Sequence, residues 1–180
     1  HEGRLYHGVV EPIGATVGVT VPVGHIYRSN PDGSDLREVA VFPLDPDGAD
    51  RRLDAWVTGD LPVLSDIAFR ADGDMVVAVR NLAIDATIAD LPIRLGDVLP
   101  AEADGDGWHV TVGPERFDDT LGGRPEALTG GIALLPGMDL VVASGQTAAD
   151  AGNVPLGVWF DAATGGLERT APLNWSGSVH

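Results

Sequence analysis

The chain contains no cysteine and no lysine. Without cysteine it forms no disulfide, no thiolate nucleophile and no cysteine-ligated zinc or iron–sulfur site. Its 11 basic residues are therefore all arginine, and they stand against 27 acidic residues, for a formal net charge of -16. A chain with this much negative charge repels phosphate backbones and anionic lipid headgroups. In addition, no apolar run approaches the roughly 18 residues of a membrane span. We expect neither nucleic-acid binding nor membrane insertion.

The acidity has two compatible explanations. Codon use in a GC-rich genome favours arginine and aspartate, whereas adaptation to high salt favours an acidic surface whose repulsion is screened over about 3 Å at 1 M. The chain begins at His1, inside a predicted strand and without methionine. We therefore expect a processed or partial chain whose targeting segment lies outside it.

Two strand–turn–strand patterns recur. The first begins at Ile67 and again, without a gap, at Ile132, which is 65 residues further on. Apolar residues cluster in its second strand (75–79 and 140–143), as expected of a strand covered on both faces. The second pattern ends in a turn glycine that supplies the positive φ of a tight hairpin. These glycines are Gly33, Gly105 and Gly165.

The patterns predict an all-β fold of about three four-stranded antiparallel propeller-type blades. We place the blades at residues 4–44, 64–113 and 130–174 of a single domain spanning 1–180, and the first blade lacks its opening strand. Known rings need about four to eight blades, so we expect part of a larger or incomplete β-propeller. A β-sandwich is the alternative, although sandwiches rarely repeat their sequence internally.

One hairpin, Ile26–Arg37 (Ile-Tyr-Arg-Ser-Asn-Pro-Asp-Gly-Ser-Asp-Leu-Arg), resembles TolB-type propeller repeats. A broader set of stretches resembles the propeller-like N-terminal regions of large surface proteins from high-GC bacteria, which carry serine-aspartate-repeat and collagen-adhesin type stalk modules. That resemblance implies display and binding at the cell surface, supplies no catalytic residues, and ends locally after residue 80. The stretches that carry it are 64–80, 96–99, 130–137, 141–143, 157–161 and 163–165.

Three carboxylates fall within six residues in the Asp-rich turn formed by Asp45, Asp47 and Asp50. Calcium takes six to eight oxygen ligands, so this turn is a candidate Ca²⁺ site, although its spacing is not that of an EF-hand. The turns at 30–35 and 103–107 are similar. The alternative is that aspartate and glycine are present because they form turns. No other cofactor is predicted.

Tryptophan and histidine give further candidates. Trp56 and Trp175 lie in looser segments and are the candidate ligand-binding residues, as a platform on which a carbohydrate stacks. We expect Trp108 and Trp159 to fill gaps between blades instead. His7 and His25 fall on adjacent predicted strands and are possible spatial neighbours, with a structural or surface role favoured.

The leading functional prediction is a non-enzymatic extracellular or cell-surface module that binds protein or glycan or gives structural support. One alternative is a propeller enzyme of the lactonase or sugar-dehydrogenase type. However, the residues expected to face a channel are apolar, and no Gly-x-Ser-x-Gly elbow is present, so no catalytic residue is predicted. Another is an assembly subunit that pairs with neighbouring subunits or further blades through exposed strand edges. The apolar residues are Ile67, Phe69, Ile132 and Leu134.

Overall fold

The computed structural model describes residues 1–12, 21–44, 62–82, 96–111, 116–118, 128–135, 137–149 and 152–173. These residues form an all-β fold of eleven strands, with no α-helix among them. The strands are β1 (Leu5–Glu11), β2 (Val23–Ser29), β3 (Arg37–Pro43), β4 (Pro62–Phe69), β5 (Met75–Asn81), β6 (Gly96–Asp104), β7 (Gly107–Val110), β8 (Leu128–Leu134), β9 (Leu140–Ala149), β10 (Gly152–Asp161) and β11 (Leu167–Pro172).

The strands pair in three antiparallel sheets, each in chain order. The first sheet contains β1 to β3, the second contains β4 to β7, and the third contains β8 to β11. The prediction of three antiparallel units is confirmed at the level of sheets, and the first sheet has three strands, as its missing opening strand led us to expect. Among the described residues, no helix has the length and apolar character needed to cross a membrane.

The second sheet lies between the other two, and β5 is buried on both faces. Met75, Val77 and Val79 pack in the cluster shared with the first sheet. Val76 and Ala78, which alternate with them, pack in the cluster shared with the third sheet. None of these five side chains is more than 1% exposed. The continuous apolar run of β5 is therefore explained as predicted, because both faces of its sheet are covered.

The third sheet departs from the prediction in β9. Val141 and Ala143 are buried against the second sheet, whereas Leu140 and Val142, on the opposite face, are only half-buried. Burial of both faces is therefore wrong for this strand among the described residues. The third sheet is the last of the stack, so its outer face has no fourth sheet in the described part of the chain.

Strand pairing also shows that the gapless repeat conceals a one-residue shift. Phe69 lies opposite Met75 in the second sheet, whereas the matching Leu134 lies opposite Val141 in the third. The β8–β9 turn is therefore one residue longer, so Val141, and not Leu140, is the counterpart of Met75. Because side chains alternate between faces with period two, one residue decides which of them face the core.

Aspartate side chains stabilise two of the hairpin turns by accepting hydrogen bonds from residues of the same turn. Asp32 accepts hydrogen bonds from the Ser34 backbone N–H at 2.9 Å and hydroxyl at 2.7 Å. Asp161 accepts from the Thr164 backbone N–H at 2.6 Å and hydroxyl at 2.8 Å, and these bonds lower the pKa of Asp161. The turn glycines have the predicted positive φ, at 81° for Gly33, 59° for Gly105 and 76° for Gly165.

Replacing Val77 by alanine tests the burial of the middle sheet. Val77→Ala removes two buried methyl groups, so we expect it to lower the free energy of unfolding by about 2 kcal/mol. Val41→Ala is the matched control, because Val41 lies on β3 and is 52% exposed, and it should cost no more than about 0.5 kcal/mol. Urea unfolding of both variants measures the difference, and equal losses would contradict a buried middle sheet.

Candidate ligand cleft

The first strands of the second and third sheets each carry a bulge. In β4, Leu64 lies opposite Val79 and Asp66 opposite Ala78, so Ser65 is an extra residue. In β8 the register shifts between Leu128 and Ile132. Bulges bend a strand and redirect its side chains, and they are frequent beside functional sites. The two bulges occupy corresponding positions of the sequence repeat.

Side chains of β4 bind the backbone of β8 at these bulges. The Ser65 hydroxyl donates to the Gly130 carbonyl at 2.6 Å, and the Ile132 backbone N–H donates to the Asp66 carboxylate at 3.1 Å. Position 130 requires glycine, because φ is +89° there and an added Cβ would lie 2.4 Å from the Ser65 hydroxyl oxygen. The Ser-Asp pair of one repeat therefore binds the backbone of Gly130 and Ile132 in the next repeat.

A cleft of about 470 Å³ opens at the bulges. Its polar side chains are the guanidinium of Arg80, the amide of Gln146 and three hydroxyls, and three glycines bring the backbone close to the open space. Pro155 and Leu173 form an apolar wall. The full lining is Ser65, Arg80, Thr129, Gly130, Gly131, Ser144, Gly145, Gln146, Pro155 and Leu173.

Hydrogen bonds within the cleft orient Ser144. Its hydroxyl oxygen accepts from the Thr129 hydroxyl at 2.8 Å and from the Gly131 backbone N–H at 3.1 Å. The described lining contains no histidine and no carboxylate that would act as a base for either serine. The arrangement of this lining therefore suits binding by hydrogen bonds.

A second cleft, of about 540 Å³, lies between the β4–β5 and β8–β9 turns. There Arg70 is surrounded by the carboxylates of Asp72, Asp74 and Asp139, at 3.1, 3.7 and 3.5 Å. The Arg70 side chain is only 15% exposed, and carboxylates from both turns neutralise its charge. We interpret this cluster as a connection between the second and third sheets.

Five predicted site residues lie outside the described part of the chain. They are Asp45, Asp47, Asp50, Trp56 and Trp175, so the calcium site and the stacking platform stay predictions. Within the described ranges, no group of three or more histidine and acidic side chains is arranged to hold a metal ion.

The comparable turn at 30–35 is described, and its carboxylates have separate partners. Asp32 binds Ser34, whereas Asp35 pairs with Arg37 at 2.7 Å and with Arg4 at 3.3 Å. This is the turn-forming role that was the alternative to calcium binding.

The two histidines lie on the same outer face of the first sheet but have different partners. His25 lies opposite Val9, and its ring nitrogens are 2.8 Å from Glu38 and 3.7 Å from Glu11. His7, opposite Tyr27, hydrogen-bonds to the Ser29 hydroxyl at 2.9 Å. These separate contacts agree with the expected structural or surface role of both histidines.

The expectation for the tryptophans is half right. Trp108 fills the space between the first two sheets, packed edge-on against Tyr6 and Phe69. Trp159 instead lies on the outer face of the third sheet, because its neighbours Val158 and Phe160 take the inward positions. Its ring lies over Gly157, where an added Cβ would come within 2.7 Å, and beneath the Arg169 guanidinium, 4.3 Å from the ring centroid.

The apolar residues expected to face a channel pack between sheets instead. Ile67 and Phe69 belong to the cluster between the first and second sheets. Ile132 and Leu134 belong to the cluster between the second and third. They face the preceding sheet because side chains alternate between the two faces of β4 and of β8, and these residues occupy the positions on that side.

Arg80, Thr129 and Gln146 were not identified from the sequence. They lie on three strands, β5, β8 and β9, and only the packing of two sheets brings them together. One signal in the sequence was available, because the repeat aligns Ser65-Asp66 with Gly130-Gly131. A polar pair replaced by two glycines at the same repeat position indicates a close approach between successive units.

No protein family, curated protein or solved structure matches the chain. The resemblance to bacterial surface-protein propellers therefore stays a prediction, and the function is inferred from the geometry of the cleft.

Substitution of Asp66 tests the connection between the sheets. Its carboxylate accepts from the Ile67 and Ile132 backbone N–H groups through separate oxygens. Asp66→Ala loses both bonds and should lower the free energy of unfolding by about 2–3 kcal/mol, whereas Asp66→Asn keeps one acceptor oxygen and should lose about half as much. Asp104→Asn, at the exposed end of β6, is the control. Thermal unfolding that ranks the three variants equally would contradict the proposed role of Asp66.

Proposed function

We propose that the chain is a non-enzymatic binding module of the β-propeller type, extracellular or displayed on a cell surface, whose cleft between the second and third sheets takes a polar ligand. The observation that supports this most is the convergence of five hydrogen-bonding side chains from β4, β5, β8 and β9 on one cleft. Converging polar groups in a concave site are the usual arrangement for orienting a bound molecule.

The propeller-type arrangement is supported by the repeated relation between sheets. In the second sheet, Ile67 and Val77 lie opposite one another and face the first sheet. Their counterparts Ile132 and Ala143 lie opposite one another in the third sheet and face the second. The same face of each sheet thus packs on the sheet before it, as in the successive blades of a propeller.

A saccharide is the ligand class that fits the lining best. Hydroxyl and amide groups pair with the hydroxyls of a sugar, and Pro155 and Leu173 offer a wall for the apolar side of a sugar ring. The cleft volume of about 470 Å³ lies within the range of roughly 300–1,000 Å³ that is usual for ligand sites. A glycan on a neighbouring cell or protein is thus the proposed partner.

The experiment is a glycan-array screen of the 180-residue chain, followed by calorimetric titration of the best binders against Gln146→Ala. The Gln146 amide lines the cleft and makes no hydrogen bond within the described part of the chain, so its loss should weaken binding without loss of stability. We expect at least about a tenfold rise in Kd, equivalent to one or two hydrogen bonds. Arg37→Gln, on the first sheet, is the control. Absence of any saccharide binding would contradict the proposed function.

A further inference from the structure

We infer that the ligand of the cleft is an oligosaccharide and not a single sugar ring. A second contact site, formed by the Arg169 guanidinium on the ring of Trp159, lies beyond the cleft on the same face of the third sheet. Because it specifies the ligand of the same cleft, this inference rests on the proposed function. It adds the length of the ligand and the residue that recognises its outer sugar units.

Strand pairing places the cleft and the Arg169–Trp159 pair on one surface. Pro155, in the cleft wall, lies opposite Gln146, whereas Trp159 lies opposite Val142 on one side and Arg169 on the other. Because side chains alternate with a period of two residues, all of them belong to the outer face of the sheet. Pro155 and Trp159 are about 13 Å apart at the rise of a strand. One sugar ring is shorter than this separation, so only a chain of sugar units bridges the two sites.

A strip of small and apolar groups connects the two sites. Gly157 and Ala171 lie opposite each other between them. An added Cβ at Gly157 would lie 2.7 Å from the Trp159 ring and 3.6 Å from a methyl group of Leu173. Leu173 also lines the cleft, and it is 42% exposed. The apolar wall of the cleft is therefore continuous with the Trp159 ring.

Arg169 is held by an aromatic ring, and its N–H groups are available to a ligand. Its guanidinium lies 4.3 Å from the centroid of the Trp159 ring, and the residue is exposed. Its side chain forms no ion pair and no hydrogen bond in the part of the chain that the structure describes. By contrast, Arg4, Arg37 and Arg70 each pair with aspartate. A guanidinium carries five N–H donors in its plane, and stacking on a ring leaves these donors free at its edge.

Sugar units supply the groups that this second site lacks. Their hydroxyl and ring oxygens accept hydrogen bonds from the Arg169 N–H donors, and the apolar side of a sugar ring matches the strip beside Leu173. Stacking on Trp159 orders the guanidinium before the ligand arrives, so less side-chain entropy is lost on binding. Arg169 contacts the ligand in this arrangement, and Trp159 is a positioning residue that acts through Arg169.

The test compares ligands of one, two and three sugar units by calorimetric titration of the full 180-residue chain. The probes are glucose with cellobiose and cellotriose, glucose with maltose and maltotriose, and N-acetylglucosamine with its β-linked dimer and trimer. If the array identifies another saccharide, its monosaccharide and trisaccharide members are used as well. In the series that binds best, we expect the trisaccharide to bind at least about tenfold more tightly than the monosaccharide, equivalent to one or two additional hydrogen bonds.

Substitutions separate the second site from the cleft. Arg169→Gln should remove the gain in affinity from one to three sugar units, while the affinity for the monosaccharide stays within about twofold because distant sites act independently. Trp159→Phe keeps an aromatic ring beneath the guanidinium and should retain part of the gain, whereas Trp159→Leu should lose it. Gln146→Ala should weaken all lengths by similar factors, because its amide lines the cleft itself. Arg37→Gln, at an exposed arginine of the first sheet, is the matched control and should change none of these affinities.

Equal affinities for the monosaccharide and the trisaccharide, or a gain that survives Arg169→Gln, would overturn the inference while leaving the proposed function in place. Absence of binding by every saccharide, both here and on the array, would contradict the proposed function itself. NMR of the unmodified chain gives a readout that does not depend on the folding of any variant. The trisaccharide should shift the Trp159 indole N–H and the Gly157 amide, whereas the monosaccharide should shift cleft amides such as that of Gly145. Trp159 and Gly157 signals that ignore the trisaccharide would likewise overturn the inference.

Discussion

Burial of both faces of the middle sheet is the constraint on which the rest of the structure depends. Each of the three sheets is a simple meander, and the first and third have in the described residues only one face covered by another sheet. The second sheet supplies apolar side chains to both hydrophobic clusters through alternate residues of β5. The two-residue period of β5, together with that of β6, thus joins three meanders into one stack. Loss of packing on either side of β5 would leave two sheets with no shared core.

The cleft results from this packing and from the bulges of β4 and β8. The bulge of β4 turns Ser65 and Asp66 toward the backbone of β8 in the next sheet, and both side chains form hydrogen bonds there. The glycines opposite them allow the close approach, and the space left beside the junction is the cleft. The residues that hold the second and third sheets together therefore also shape the ligand site that we propose.

Local features of the fold were predictable from the sequence, and features that depend on two sheets at once were not. The apolar run 75–79 predicted the burial of β5 correctly. The Asp-Gly and Thr-Gly turns predicted the hairpins correctly, because a tight turn depends only on the residues that form it. The one-residue difference between the β4–β5 and β8–β9 turns is invisible in a gapless alignment, because only pairing across the hairpin reveals it. Trp159 was misplaced because inward and outward positions differ by a single residue. Arg80 and Gln146 meet only through the packing of separate sheets, and no local pattern marks them.

Native-state amide hydrogen exchange, followed by NMR, tests the central role of the middle sheet most directly. Because β5 and β6 are covered on both sides, their amides should open only with global unfolding and should exchange most slowly. The amides of β1 and β11, at the two ends of the stack, should exchange faster through local opening. If β5 exchanges as fast as β1 and β11, or if the first or third sheet stays protected after β5 has exchanged, the middle sheet is not what holds the three together.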